Sequence, residues 1–402
     1  MTKKFQYKNV LAVSLGHLFH DIFASFLSPI IPLLVEKLGI TVSLAGLLDV
    51  IRNAPTLFTP FLGLLVERFP VKYLVICAPA VTATVMSLLG LAPSYGMVVI
   101  LIFVAGLSST LFHIPSPVLI KRYAGDRTGA GMSYYMLGGE LSRTLGPLVI
   151  TAAISLWGFE GTWRLIPFGC VASVILFFSL RNAQGKTGDP SQMDTSSAAS
   201  ALKEIRPQLI FIGSFLLFSM AIKVSATLYL TAFLVNRGRT LVAASFMLSV
   251  LQFSGAAGTL IAGSISDKLG KRTILLISAA ACPVLLWSFP FAGTAMQVPI
   301  LIGLGLFLFA PGPVILALVQ DAESRSPAFA NGLYMTVQFI IRSFIVFMVG
   351  IGIDTLGFMN TYQISAILGI GAAVCVLLFP KEKVFRARKK VTADDFNMLE
   401  GE

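Results

Sequence analysis

Seven charged side chains, Asp21, Asp49, Arg52, Glu140, Arg143, Lys223 and Arg342, sit inside long apolar runs and are the groups in this sequence best placed to do chemistry. A charge in hydrocarbon costs at least about 2.5 kcal/mol, so each must face a partner or a water-filled space. Spacing sorts them. His17, His20 and Asp21 share one face of a helix, as do Asp49, Arg52, Asn53 and Thr56, and Glu140 with Arg143. Asp49 can neutralise Arg52, and Glu140 can neutralise Arg143, so these arginines are either satisfied pairs or ligand-binding groups. Lys223 and Arg342 have no acid on their own helix, since Asp321 and Asp354 fall at segment ends. Unless a carboxylate from the first half reaches across, the second half carries uncompensated positive charge, which favours an anionic ligand.

Arg143 follows Tyr135, and Arg342 follows Tyr334, at the same interval. If the chain is an internal repeat about an axis along the membrane normal, the two arginines reach opposite walls of one cavity. Planar guanidinium forks there suit phosphate, phosphonate or a dicarboxylate. Arg52, His113, Lys223, Tyr135 and Tyr334 complete the expected substrate contacts. The plainer reading is that each arginine braces the halves through backbone carbonyls or Glu140. Asp21 is the expected proton carrier, because a carboxylate's charge responds to whether its surroundings are wet, closed or occupied. His17, one turn away, can share that proton; Glu140 is the next candidate, and Asp49 a further one. A hydrogen-bonded structural group is the alternative for Asp21 and His17. His17, His20 and Asp21 could hold a metal in principle, but no metal or other cofactor is expected. An enzyme is not expected either: the sequence has no metal-spaced His/Cys set, no phosphate-binding glycine loop and no nucleophile elbow.

The elements that must position these groups are membrane spans. At 402 residues, 56% hydrophobic and 12% charged, the chain has too little polar surface for a soluble globule. Segments long enough to cross about 30 Å of hydrocarbon fall at 9–36, 43–66, 73–92, 95–121, 128–157 and 162–181. They resume at 207–235, 241–265, 273–292, 297–320, 327–355 and 360–379. The expected fold is all-α, integral to the membrane, with twelve transmembrane helices in two six-helix pseudo-symmetric halves. Residues 1–181 form the first bundle, 182–206 a solvated linker, 207–380 the second bundle and 381–402 a tail. Ser43 is expected to cap the second helix, and Ser326 before Pro327 the eleventh. The net charge of +11 sits in short loops, so it marks orientation and not nucleic-acid binding. With both termini cytoplasmic, only Lys37, Arg164, Arg237 and Arg239 lie in loops on the other side. Cys77, Cys170, Cys282 and Cys375 read as buried thiols without disulfides. Nothing demands more than a monomer.

The repeat is legible in the loops. Gly263-Ser-Ile-Ser-Asp267-Lys268-Leu-Gly270-Lys271-Arg272 reads as a tight turn in which Gly263 and Gly270 take special backbone angles. A worn copy, Gly63-Leu-Leu-Val-Glu67-Arg68-Phe-Pro70-Val-Lys72, lies 200 positions earlier. Pro115-Ser-Pro117 recurs as Pro311-Gly-Pro313, and Leu33–Lys37 as Phe233–Arg237. The loops resemble the signature of the major facilitator superfamily, which implies gating roles for Gly63, Glu67, Arg68, Gly263, Asp267, Lys268, Gly270, Lys271 and Arg272. His17-Leu-Phe-His-Asp21, Gly106–His113, and Gly138-Gly139 before Gly146-Pro147 resemble the fosmidomycin resistance group of bacterial exporters. That resemblance implies an inner-membrane protein exchanging protons for small, often anionic, toxic compounds. Proton-driven uptake of an organic acid and lipid handling are the alternatives.

Overall fold

The computed structural model of the chain describes residues 5–59, 71–181, 196–321 and 327–379, and the architecture is drawn from those residues. They are almost wholly helical. In the first half, α1 (Tyr7–Ala24) and α2 (Leu27–Leu38) make one broken span, and α3 (Val42–Asn53) runs into a 3-10 turn at Ala54–Phe58. Then come α4 (Val71–Ser87), α5 (Tyr95–His113) broken from α6 (Ser116–Ala124), α7 (Thr128–Trp157) and α8 (Ile166–Leu180). The second half repeats the plan: α9 (Ser196–Thr227) broken from α10 (Leu230–Asn236), α11 (Leu241–Leu269), α12 (Lys271–Ser288), α13 (Thr294–Phe309) broken from α14 (Pro311–Asp321), and α15 (Pro327–Leu378). Gly357, at φ +79°, splits α15 into two spans, which completes the twelve.

The breaks have local causes. Pro115 and Pro311 cannot donate to the preceding turn, so α5 and α13 stop where the repeat predicts. Nine of the described helices are long and apolar enough to cross a membrane when each broken pair, and the whole of α15, is counted once. The Glu140- and Arg143-bearing α7, a charged and glycine-rich span, is not among them, nor is α3, whose expected span continues beyond the described residues.

Several expectations change. The linker expected at 182–206 is helical from Ser196 onward, because the Ser-Ala-rich run extends α9. Gly263 lies inside α11, and the turn contracts to Gly270 at φ +88°. Thr41, not Ser43, caps α3, accepting from Leu44 N at 3.3 Å. Cys77 and Cys170 are free but exposed on the bundle surface, whereas Cys282 and Cys375 are buried as expected. Gly63, Glu67, Arg68, Ser326, residues 182–195 of the linker and the tail beyond 379 lie outside the described residues, as does the side chain of Asp267.

Each half buries its own apolar core: Phe26, Ile30, Leu48, Met86, Ile102 and Ile150 in the first, Phe211, Phe215, Leu275, Val314 and Val346 in the second. Leu156, Leu260 and Leu378 are exposed, as a lipid-facing shell requires. Between halves, apolar packing of Ile31 and Ala45 against the second core is joined by polar contacts. Ser28 donates to the carbonyls of Thr227 and Leu228 at 2.8 and 2.9 Å, Thr231 donates to Ser28 O at 2.6 Å, and Thr151 donates to Ser245 at 2.7 Å. Asp354 on α15 accepts from Val42 N and Ser43 N at 2.8 and 2.9 Å, sealing the first turn of α3 from across the interface. These bonds run from mid-span to the end carrying Lys37 and Arg237, and hold the halves together there.

Candidate functional site: a charged cavity and a three-histidine cluster

Between the halves lies a cavity of about 320 Å³ whose wall includes Asp21, Asp49, Arg52, His113, Arg143, Lys223 and Arg342. Six of the seven charges singled out in the sequence therefore border one space, and Glu140 reaches it through Arg143. Asp49, on α3, is buried between two guanidinium groups. Arg52 Nη2 donates to Oδ1 at 2.9 Å, while Arg342 Nε and Nη2 both donate to Oδ2 at 3.0 and 2.8 Å. A first-half carboxylate does reach across, so the condition under which Arg342 would be uncompensated is not met. One carboxylate still serves two guanidinium cations. Arg143 is closer to neutral, with Nη2 2.9 Å from Glu140 Oε1 on its own helix. The pairing expected from the i, i+3 spacing is thus formed, and Arg143 remains nearly half exposed to the cavity.

Lys223 differs from all of these. On α9, it makes no ion pair with any described residue, and its Nζ lies 4.9 Å from the centroid of the Phe309 ring. A cation over an aromatic face gains about 0.5–2 kcal/mol, far less than a buried charge needs. Lys223 is the cation in this cavity least compensated by protein.

The first-half wall holds a second constellation that gathers all three histidines of the chain around Asp21. His17 Nε2 lies 3.1 Å from Oδ2, His20 Nδ1 2.7 Å from Oδ1, and His113 Nε2 3.2 Å from Oδ1. His113, the last residue of α5, reaches Asp21 from a neighbouring span. Tyr135 locks the cluster: its ring stacks on His17 at 4.0 Å, its hydroxyl meets His113 Nδ1 at 3.1 Å, and its carbonyl meets His17 Nδ1 at 2.8 Å. His20 continues to Thr82 at 3.0 Å, and Thr82 donates to Ser108 at 2.9 Å.

Proton accounting at His17 is informative. A carbonyl only accepts, so Nδ1 carries a hydrogen toward Tyr135; a second hydrogen must then lie between Nε2 and Asp21 Oδ2. The pair can hold it as an imidazolium with a carboxylate or as a neutral ring with a carboxylic acid. The ligand atoms of His17, Asp21 and His113 are mutually within 4.8 Å, a spacing compatible with a small cation, yet each has a protein hydrogen-bond partner. No position for a larger cofactor emerges among the described residues.

Tyr135 and Tyr334, equivalent in sequence, do different things. Tyr135 belongs to the histidine cluster, and Tyr334 lines a separate apolar cavity of about 50 Å³ inside the second half. Thr82 and Ser108 gave no sequence signal, being single hydroxyls in apolar runs. Arg272, read as part of the gating loop, donates to the carbonyls of Val376 and Leu377 at 3.1 and 2.9 Å and so caps the end of α15. Lys268 and Gly270 are exposed beside it, and Lys271 opens α12.

The comparisons with known proteins agree with this architecture. The fosmidomycin resistance protein of Escherichia coli (strain K12) is 24% identical over 374 residues, covering 91% of both chains. Among solved structures, a D-xylose–proton symporter superposes with TM-score 0.73 at 16% identity, covering 96% of this chain and 100% of that one. A bacterial homologue of the human lysosomal transporter Spinster, inward-facing and occupied, gives 0.76 at 13% identity with coverage of 96% and 100%. At those identities the structures speak for the fold alone. The model of the Major Facilitator Superfamily matches residues 13–346, and the chain belongs to that superfamily of membrane transporters.

Proposed function

We propose that this transporter is an exporter that exchanges protons for a small organic anion, phosphonates being the type, by rocking its halves about the central cavity. The carrying observation is the charge balance of the cavity wall: Asp49 faces two guanidinium groups, and Lys223 has no described carboxylate partner. An anion entering between Lys223, Arg342 and Arg143 completes a balance that the protein leaves short. The proton held between His17 and Asp21 supports coupling, because His113, a neighbour of the same carboxylate, also borders the cavity. Similarity to a protein named for fosmidomycin resistance supports the outward direction. We place the protein in the bacterial inner membrane as a monomer with both termini cytoplasmic, so that the closed end carrying Lys37 and Arg237 faces outward.

Uptake with protons would use the same groups in the opposite sense. Proteoliposomes preloaded with methylphosphonate or succinate, then given an acidic exterior, decide between them. Proton-stimulated release is the expected result. Proton-stimulated accumulation from outside would replace export by symport, and no response to the gradient in either direction would end the proton-coupled reading.

A further inference from the structure

The two halves have diverged around equivalent tyrosines. On the repeat register set by Pro115 and Pro311, Phe112 and His113 correspond to Leu308 and Phe309, and on the register set by Arg143 and Arg342, Tyr334 corresponds to Tyr135. In the first half the space beside Tyr135 is filled by His17, His113 and Asp21. In the second, Met220 stands on the helix corresponding to the one that carries His17, and the space beside Tyr334 is open. That cavity, about 50 Å³, has Met220, Cys282, Phe307, Leu308 and Ile315 on its wall, with Ser219, Ser278 and Gln338 as polar members beside Lys223. Where one half built a proton-holding cluster, the other kept an apolar cleft.

Lys223 stands on the wall of both the cleft and the charged cavity. A molecule whose anionic group meets Lys223 is therefore next to a lining residue of the cleft and faces charged walls elsewhere. We infer that the cleft beside Tyr334 is a subsite for an apolar chain, and that the preferred substrates are anions carrying a short alkyl or similarly apolar group next to the charge. This inference rests on the anion reading of the central cavity. At about 10–15 Å³ per water-sized group, the cleft takes about four carbon atoms.

Gly312 supplies the means of closing it. It lines the cleft, and a Cβ built on it would meet nothing within 4 Å, so Gly312→Leu adds apolar bulk at the cleft wall with no clash at its first side-chain atom. The experiment is calorimetric binding of n-alkylphosphonates, methyl to hexyl, to the purified full chain in detergent, with methylphosphonate as the reference within each variant. The wild type should gain about fourfold in affinity per methylene through about butyl and then level off, and the series should be flat in Gly312→Leu. Methylphosphonate binding without any chain-length gain in the wild type overturns the subsite and leaves the anion site standing. A gain that is unchanged in Gly312→Leu assigns the apolar contact elsewhere and also overturns it. If no member binds, the anion reading itself fails and takes the subsite with it. The wild-type series decides the matter even if the variant does not fold.

Discussion

Asp49 and Arg342 lie 293 positions apart in the chain, yet Arg342 donates twice to Asp49 Oδ2 across the boundary between halves. The same carboxylate binds Arg52 through its other oxygen, so an ion pair linking the two bundles passes through one residue. A substrate anion that takes over part of Arg342 would loosen that link. On the proposed reading, binding and the separation of the halves would be coupled through the same guanidinium group.

Asp49→Asn leaves two guanidinium groups without their carboxylate. Removing one partner of a buried pair costs about 3–5 kcal/mol, and the partial exposure of Arg52 and Arg342 to the cavity puts the expectation at or below the lower bound. Thermal unfolding in detergent should shift down by several degrees, with saturating methylphosphonate restoring part of the loss. No shift would mean that the bridge contributes little to holding the halves together.

Asp354 provides a second link at the end carrying Lys37 and Arg237, accepting from two backbone N–H groups of α3. Asp354→Ala should cost about 1 kcal/mol of the closed state, a roughly fivefold shift toward opening at that end. Spin labels at Glu36→Cys and Asn236→Cys, both at exposed positions beside the seal, should show a larger population of long distances by electron–electron resonance. An unchanged distribution would reduce Asp354 to a local cap.

Much of the fold was readable because bilayer spans announce themselves by length and composition, and because Pro115 and Pro311 fix the repeat register. The turn at Gly270 was readable only in part: nothing local distinguishes Gly263, which continues α11, from a loop glycine. The pairs Asp49–Arg52 and Glu140–Arg143 followed from helical spacing. The Asp49–Arg342 bridge did not, since it depends on how two bundles dock. The convergence of His113 on Asp21 was hidden for a related reason. It depends on how α5 packs beside α1, which spacing within either helix does not fix.

Asp21→Asn should separate coupling from carriage. The asparagine retains hydrogen-bonding capacity toward His20 and His113 but cannot hold the proton shared with His17. Gradient-driven transport in proteoliposomes should fall at least about tenfold while exchange between two substrate pools persists. Loss of both would make the cluster a structural brace.

Lys223 decides the central claim. Calorimetric titration of the purified transporter with methylphosphonate should show saturable binding, and Lys223→Gln should weaken it by about tenfold or more, the loss expected for a desolvated charge-assisted contact. Binding of equal strength in Lys223→Gln, or no binding of phosphonate or dicarboxylate to the wild type, would contradict the view that this cavity is built around a missing negative charge.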